Sequence, residues 1–182
     1  MRSKEDRVLE LFFNSPKHWH FEDLLEKADI SRPQLNRWLK QLSKENIIKR
    51  IKLKGKMPYY TGNFNNPNYK NKKRLFALEK FYKTGFLNHL ASCDADTIII
   101  FGSFARSDWY KDSDIDLFVY GKAKDLNLAK YELKLKREIQ LFHFKKKQDI
   151  KKLDKGVLPN IVNGFTVKGN LDFLNLKGGL IA

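Results

Sequence analysis

Asp114 and Asp116 are the residues of this sequence best suited to chemistry, set in the stretch TIIIFGSFARSDWYKDSDIDLFV at positions 97–119. In a strand alternate side chains share a face, so the two carboxylates are predicted to point the same way while Ile115 and Leu117 enter a core. Two parallel carboxylates on a rigid strand suit one or two Mg²⁺ or Mn²⁺ ions, hard cations that take oxygen ligands and share substrate phosphates. Ten residues lie between Asp114 and Ser103, and Gly102-Ser103 closes an apolar, largely β-branched run from Thr97 to Phe101. A helix starting at Ser103 would offer its N-terminus to anions, Gly102 would allow close backbone approach, and the Ser103 hydroxyl can donate to a phosphate oxygen. A phosphate cradle and a metal holder on a short connection predict nucleotide chemistry.

Neither Gly-Ser nor Asp-x-Asp is informative alone; their order with two flanking strands is. This pattern resembles the nucleotidyltransferase superfamily of DNA polymerase β, and within it the minimal nucleotidyltransferases related to kanamycin nucleotidyltransferase. Gly102, Ser103, Asp114 and Asp116 carry the match, and Ala105-Arg106 and Ser113 also fit the minimal branch. Ser107 departs from it, standing where that branch usually has Gly. The resemblance implies Mg²⁺ or Mn²⁺ held by Asp114 and Asp116, an NTP substrate with ATP the expected one, and transfer of a nucleoside monophosphate to an acceptor hydroxyl. Ser103, the Gly102 backbone and Arg106 would hold the phosphates. The resemblance also implies, as candidate partners, a small helical protein, as in toxin–antitoxin pairs.

The resembled family places a third carboxylate on the strand after the next helix. Here Arg137-Glu138-Ile139-Gln140-Leu141-Phe142 puts Gln140 at that place, with Glu138 two residues earlier, about 6.6 Å along the same strand face. A neutral amide is a poorer ligand for a hard cation and cannot act as a general base. Three outcomes follow: Glu138 is the third catalytic carboxylate after a register shift, the chain works with two carboxylates, or it binds nucleotide without transferring it.

The elements that must position these residues are set within 182 residues of 42% hydrophobic content, enough for one large or two small domains. No apolar stretch reaches membrane-spanning length and MRSKEDRVLE lacks a signal-peptide core, so no membrane association and a cytoplasmic location are expected. Cys93 is the single cysteine and the four histidines show no ligand spacing, which predicts an inert thiol and no zinc. The formal charge of +15, from 36 Lys and Arg against 21 Asp and Glu, attracts polyanions. Between Glu45 and Glu79 there is no acidic residue, while Lys49, Arg50, Lys52, Lys54, Lys56, Lys70, Lys72, Lys73 and Arg74 fall there. A second cluster, Lys145–Lys147 with Lys151-Lys152, reads as a solvated face.

Apolar periodicity predicts helices over Lys4–Asn14, Phe21–Ala28 and from Ser31 through Leu35, Trp38, Leu39 and Leu42, with Gln34 placed to complete a cap at Ser31. Strands around Ile47–Lys54 and Met57–Thr61, turning at Gly55-Lys56, follow. Three helices and a basic hairpin make the winged helix-turn-helix arrangement. Its third helix would offer Arg32, Asn36, Arg37, Lys40 and Lys44 to DNA, and its wing Lys54 and Lys56. Useful affinity would call for a homodimer. After a polar connector at 62–70, Leu75, Leu78, Tyr82, Phe86 and Leu90 predict a long helix from Tyr69 to Ala91. A helix from Leu126 to Arg137, a strand Ile139–Phe144, one further helix through Ile150–Ile161 and a Gly-punctuated tail complete the reading.

The expected fold is therefore α+β: a winged helix-turn-helix domain at 1–64, a connecting helix at 65–92 packed on the second domain, and a nucleotidyltransferase-like α/β domain with a mixed sheet at 93–182. Two functions of different class follow. One is a Mg²⁺-dependent nucleotidyltransferase recruited by the winged helix to DNA or a partner. The other is a DNA-binding transcriptional regulator whose degenerate transferase domain senses nucleotide.

Overall fold

Ser3 opens helix α1 (Lys4–Asn14): its Oγ accepts the Asp6 N–H at 3.0 Å and its own N–H donates to Asp6 Oδ2 at 3.1 Å. Each satisfies a backbone donor that the first turn leaves without an intrahelical partner. The structure is a computed structural model that describes residues 3–150, 153–154 and 156–174. Within it the chain divides into two units. One holds the described residues up to Phe76 together with Ser107–Asp112; the other holds Ala77–Arg106 and the described residues from Ser113 onward.

In the first unit, α1, α2 (Phe21–Ala28) and α3 (Arg32–Lys44) fall where periodicity predicts them, and the Gln34 side chain accepts the Ser31 N–H at 3.4 Å as its spacing requires. Their apolar stripes meet in one core: Val8, Leu9, Phe12, Phe13, Leu24, Ala28, Leu35, Leu39 and Leu42 are all buried. A two-stranded antiparallel hairpin follows, β1 (Ile48–Ile51) with β2 (Tyr59–Gly62). Both strands are shorter than predicted. Pro58 has no N–H to donate, and Lys52 to Met57 are exposed with no core to pack on, so the pairing stops at Ile51 and resumes at Tyr59. Trp19, between α1 and α2, extends the hairpin by exchanging two 2.8 Å backbone hydrogen bonds with Tyr60.

Lys73 is buried to 1% exposure in the same unit, on α4 (Pro67–Lys83). Its ammonium lies 4.7 Å from the Trp109 ring, 4.5 Å from Tyr110 and 5.6 Å from Tyr69. Aromatic faces of this kind offset part of the desolvation cost of a buried cation. Trp109 also stacks on Phe76 and meets Phe13 edge-on. The segment 107–112 is thereby fastened into the first unit.

The long helix expected from Tyr69 to Ala91 is two helices, α4 and α5 (Phe86–Ser92). Thr84 ends the first by donating its hydroxyl to the Lys80 and Phe81 carbonyls, and Gly85 turns the chain with a φ of +79°. That left-handed conformation is easy for Gly and costly for other residues. The apolar spacing runs on across the break because Phe81 and Phe86 still pack together, with ring centroids 5.6 Å apart.

The second unit is built on a mixed four-stranded sheet of order β5-β4-β3-β6. β3 (Ala95–Phe101) pairs antiparallel with β4 (Ile115–Gly121) and with β6 (Phe165–Lys168), while β4 and β5 (Ile139–Phe144) run parallel. Ile99, Phe101 and Phe118 bury one face against Ile150 and Ile161. Phe81, Phe86, Phe104 and Tyr131 form a ring cluster joining the ends of α4, α5, α6 (Gly102–Arg106) and α7 (Ala129–Leu135). Cys93 is buried and donates to the His89 carbonyl at 3.2 Å, and burial pushes its thiol pKa up. The single helix expected through Ile150–Ile161 is two short ones, α8 (Lys147–Ile150) and α9 (Val157–Val162). Gly156, a poor helix former, precedes the second. The tail contains β6, four residues between Gly164 and Gly169, too short for a strand period to be read. Lys151-Lys152 of the second basic cluster and the end of the tail lie outside the described residues.

Ser107 adopts φ +64°, and its Oγ is buried with no hydrogen-bond partner among the described residues. Both are costs that Gly would avoid. Ser107→Gly is expected to stabilise the chain by about 1 kcal/mol, read as a higher urea midpoint with an unchanged slope.

Candidate active site

The register of β3 against β4 decides the site. Phe101 pairs with Asp116, so the next residue of the chain, Gly102, turns beside the Asp116 carboxylate. Gly102 has φ +68°, and a Cβ built on it would overlap the Asp116 carboxylate, standing 2.8 Å from Cγ. No other residue type fits there without displacing the acid. Ser103 follows on α6, half-buried, one residue along from this contact.

Asp114 is exposed just before β4, and Asp116 is half-buried in its second position; Ile115 and Leu117 are fully buried, as alternation predicts. Asp116 shares its sheet face with Phe118 and, across the strand pair, with Phe101, both packed against Ile150 and Ile161. Both faces of β4 are therefore covered, and Asp116 stands at the mouth of a core. Burial pushes its pKa above the ordinary carboxylate value; the charge of Asp114 adds to this, and Arg106 pulls it back. Arg106 is exposed at the end of α6, and its Nη1 donates to Asn160 Oδ1 at 3.3 Å. Asn160 in turn is held through its Nδ2 by the Gly156 carbonyl at 3.0 Å. Asn160 is a member of this site that carried no motif in the sequence.

Gln140 lies on β5 directly opposite Asp116 in the parallel register, and it is exposed. Glu138 is exposed one residue ahead of β5, its carbonyl accepting the Ile115 N–H at 2.9 Å. Among the described residues no three of His, Cys, Asp and Glu form a metal-holding group. The structure brings Gly102, Asp114, Asp116 and Arg106 together and leaves Glu138 outside their group. The donor set fits a divalent cation at two carboxylates: the repulsion that Asp114 exerts on Asp116 is what a shared cation relieves.

The second set of candidate residues lies in the first unit. Asn36, Arg37, Lys40 and Lys44 are exposed on α3, and Lys54 and Lys56 are exposed at the hairpin turn. Arg32 is committed to a two-pronged ion pair with Glu22, at 2.9 and 2.7 Å, a partner ten residues away that the spacing did not reveal. The pair is exposed, so it is weak and open to exchange for a phosphate.

Residues 88–168 match the family model described as Polymerase beta, Nucleotidyltransferase, just under half of the chain. The match runs from α5 to the end of β6, takes in every residue of the site above, and supports the polymerase β-like superfamily for this segment. Domains of this family use nucleoside triphosphates with a divalent metal. Neither a curated protein nor a solved structure shows a significant match to the chain. Among the described residues no helix is long and apolar enough to cross a membrane.

The raised pKa of Asp116 gives a stability signature. The folded state binds this proton more tightly than the unfolded state, so the chain is favoured at low pH and loses that contribution as pH rises through the folded value. Asp116→Asn removes a half-buried charge and is expected to melt above the parent protein at pH 7, with the gap closing as pH falls through the carboxylate range. Calorimetric scans of both proteins from pH 3 to 8 check the sign. Gly102→Ala is expected to do the reverse at neutral pH, losing about 1–2 kcal/mol to the left-handed backbone alone and displacing the Asp116 carboxylate.

Proposed function

We propose that this chain is a nucleotidyltransferase that moves a nucleoside monophosphate from an NTP, ATP by preference, to an acceptor hydroxyl. The observation that supports the reading is the contact of Gly102 with the Asp116 carboxylate, which puts the turn we assign to phosphate beside the acid we assign to metal. Asp114 and Asp116 would hold Mg²⁺ or Mn²⁺, which supplies neutralisation of the triphosphate charge as pyrophosphate departs. Ser103 donates its hydroxyl to a phosphate oxygen, Gly102 keeps that turn against the Asp116 carboxylate, and Arg106, oriented by Asn160, adds a cationic contact at the rim. The acceptor oxygen bonds to the α-phosphorus, the bond to the bridging oxygen breaks, and pyrophosphate takes the electron pair. Gln140 has no basic site and Glu138 stands outside the group around Asp114 and Asp116, so the hydroxyl proton passes to bulk water.

The first unit we read as a winged helix-turn-helix that recruits the enzyme to DNA. Three helices, a hairpin extended by Trp19, and an acid-free basic run from Lys49 to Arg74 support this. Arg37 and Lys40 would contact the major groove and Lys54 and Lys56 the phosphates beside it. A second reading, a DNA-binding regulator with a nucleotide-sensing domain, is favoured by one observation: Gln140 occupies the position facing Asp116.

Transfer of label from α-³²P NTP to the protein or to lysate acceptors separates the two. The enzyme reading expects label that depends on Mg²⁺ or Mn²⁺ and disappears in the Asp114→Asn/Asp116→Asn protein. Nucleotide binding without transfer by the parent chain would favour the regulator. Gln140→Asp places a carboxylate opposite Asp116 and is expected to raise transfer at least about tenfold at limiting Mn²⁺. Arg37→Ala/Lys40→Ala should weaken DNA binding and flatten its salt dependence while leaving transfer to a small acceptor unchanged.

A further inference from the structure

We propose that Arg137 is a positioning residue of this site, fixing the turn that carries Asp114 against the helix that carries Ser103. The inference rests on the nucleotidyltransferase reading and goes beyond it, since Arg137 belongs to no part of the Gly-Ser and Asp-x-Asp pattern. Its Nη1 donates to the carbonyl of Ser113, the residue before Asp114, at 2.8 Å. The same guanidinium lies over the ring of Phe104, the residue after Ser103, with Cζ 5.1 Å from the centroid. Phe104 is itself buried, at 5% exposure.

Arg137 is held from behind. Its N–H donates to the Glu132 carbonyl at 3.2 Å, and the Glu132 carboxylate accepts the Ile139 N–H at 3.0 Å. Lys136 makes the turn between them in the left-handed conformation that ends α7. The end of α7 therefore anchors the start of β5 and, through Arg137, the approach to β4 and the first turn of α6. A planar guanidinium can donate in its plane and stack on its face at once, which a lysine ammonium cannot. Asp114 is exposed and precedes its strand, so strand pairing does not fix its direction. The Ser113 carbonyl bond supplies that constraint.

Arg137→Met keeps a flexible apolar chain over Phe104 and removes the donor. Leu135→Val, a truncation of a buried side chain at the end of α7, two residues before Arg137, serves as a destabilising control. The measurement is Mn²⁺ binding, by loss of the free-ion electron paramagnetic resonance signal, in the presence of an α,β-methylene NTP analogue and well below each melting temperature. Arg137→Met is expected to weaken Mn²⁺ binding by about tenfold or more, Arg137→Lys to recover only part of it, and Leu135→Val to stay within about twofold of the parent. Equal binding by Arg137→Met and the parent would overturn the assignment, as would an equal loss in Leu135→Val, which would make the effect one of general stability. Failure of the parent chain to bind Mn²⁺ with the analogue would contradict the functional reading itself, and the role of Arg137 would fall with it.

Discussion

The absence of a side chain at Gly102 is the constraint on which the site depends. Antiparallel pairing of β3 and β4 sets Phe101 opposite Asp116, and the chain leaves β3 at the next residue with φ +68°. Had that residue carried a Cβ, either the turn or the carboxylate would have to move. With glycine, the backbone of the turn that leads to Ser103 and the Asp116 carboxylate are in direct contact. Their separation is fixed by sheet register, which is a rigid way to hold a geometry.

That geometry has a thermodynamic consequence. Asp116 stands at the edge of a core formed by Phe101, Phe118, Ile150 and Ile161, beside a second carboxylate, and both push its pKa above the ordinary carboxylate value. The arrangement is unfavourable in the absence of a cation, and the burial of the apolar residues around it offsets the cost. Perturbed acids cluster at functional sites. Arg106 and Arg137 act on the pair in different ways. Arg106 moderates its charge, while Arg137 acts on the backbone leading to it.

Much of this was legible in the sequence, and the reason lies in locality. Gly102, Ser103, Asp114 and Asp116 are joined by a short segment, and β3, β4 and β5 are apolar runs bounded by polar residues. The capping pair Ser31 and Gln34 and the stripes of α1 to α3 are set by periodicity alone. Features made by distant residues were not legible. Arg137 reaches Ser113 across 24 positions and Arg106 reaches Asn160 across 54. Trp19 joins the hairpin through its backbone, which leaves no side-chain signature, and β6 is too short to show a period. The break at Gly85 was hidden because apolar residues on either side of it face the same core. Gln140 was recognised as a departure from sequence, but only the parallel register shows that it faces Asp116 directly.

The most direct test of the account is to locate the cation by its effect on backbone amide signals. Titration of isotopically labelled protein with substoichiometric Mn²⁺ and an α,β-methylene NTP analogue should broaden the amides of Gly102, Ser103, Ile115 and Asp116 first, with those of Tyr120 and Gly121 at the far end of β4 broadened later. Broadening centred elsewhere, or spread evenly over the exposed acidic residues, would contradict the assignment of Asp114 and Asp116 as the metal holder and Gly102-Ser103 as the phosphate turn.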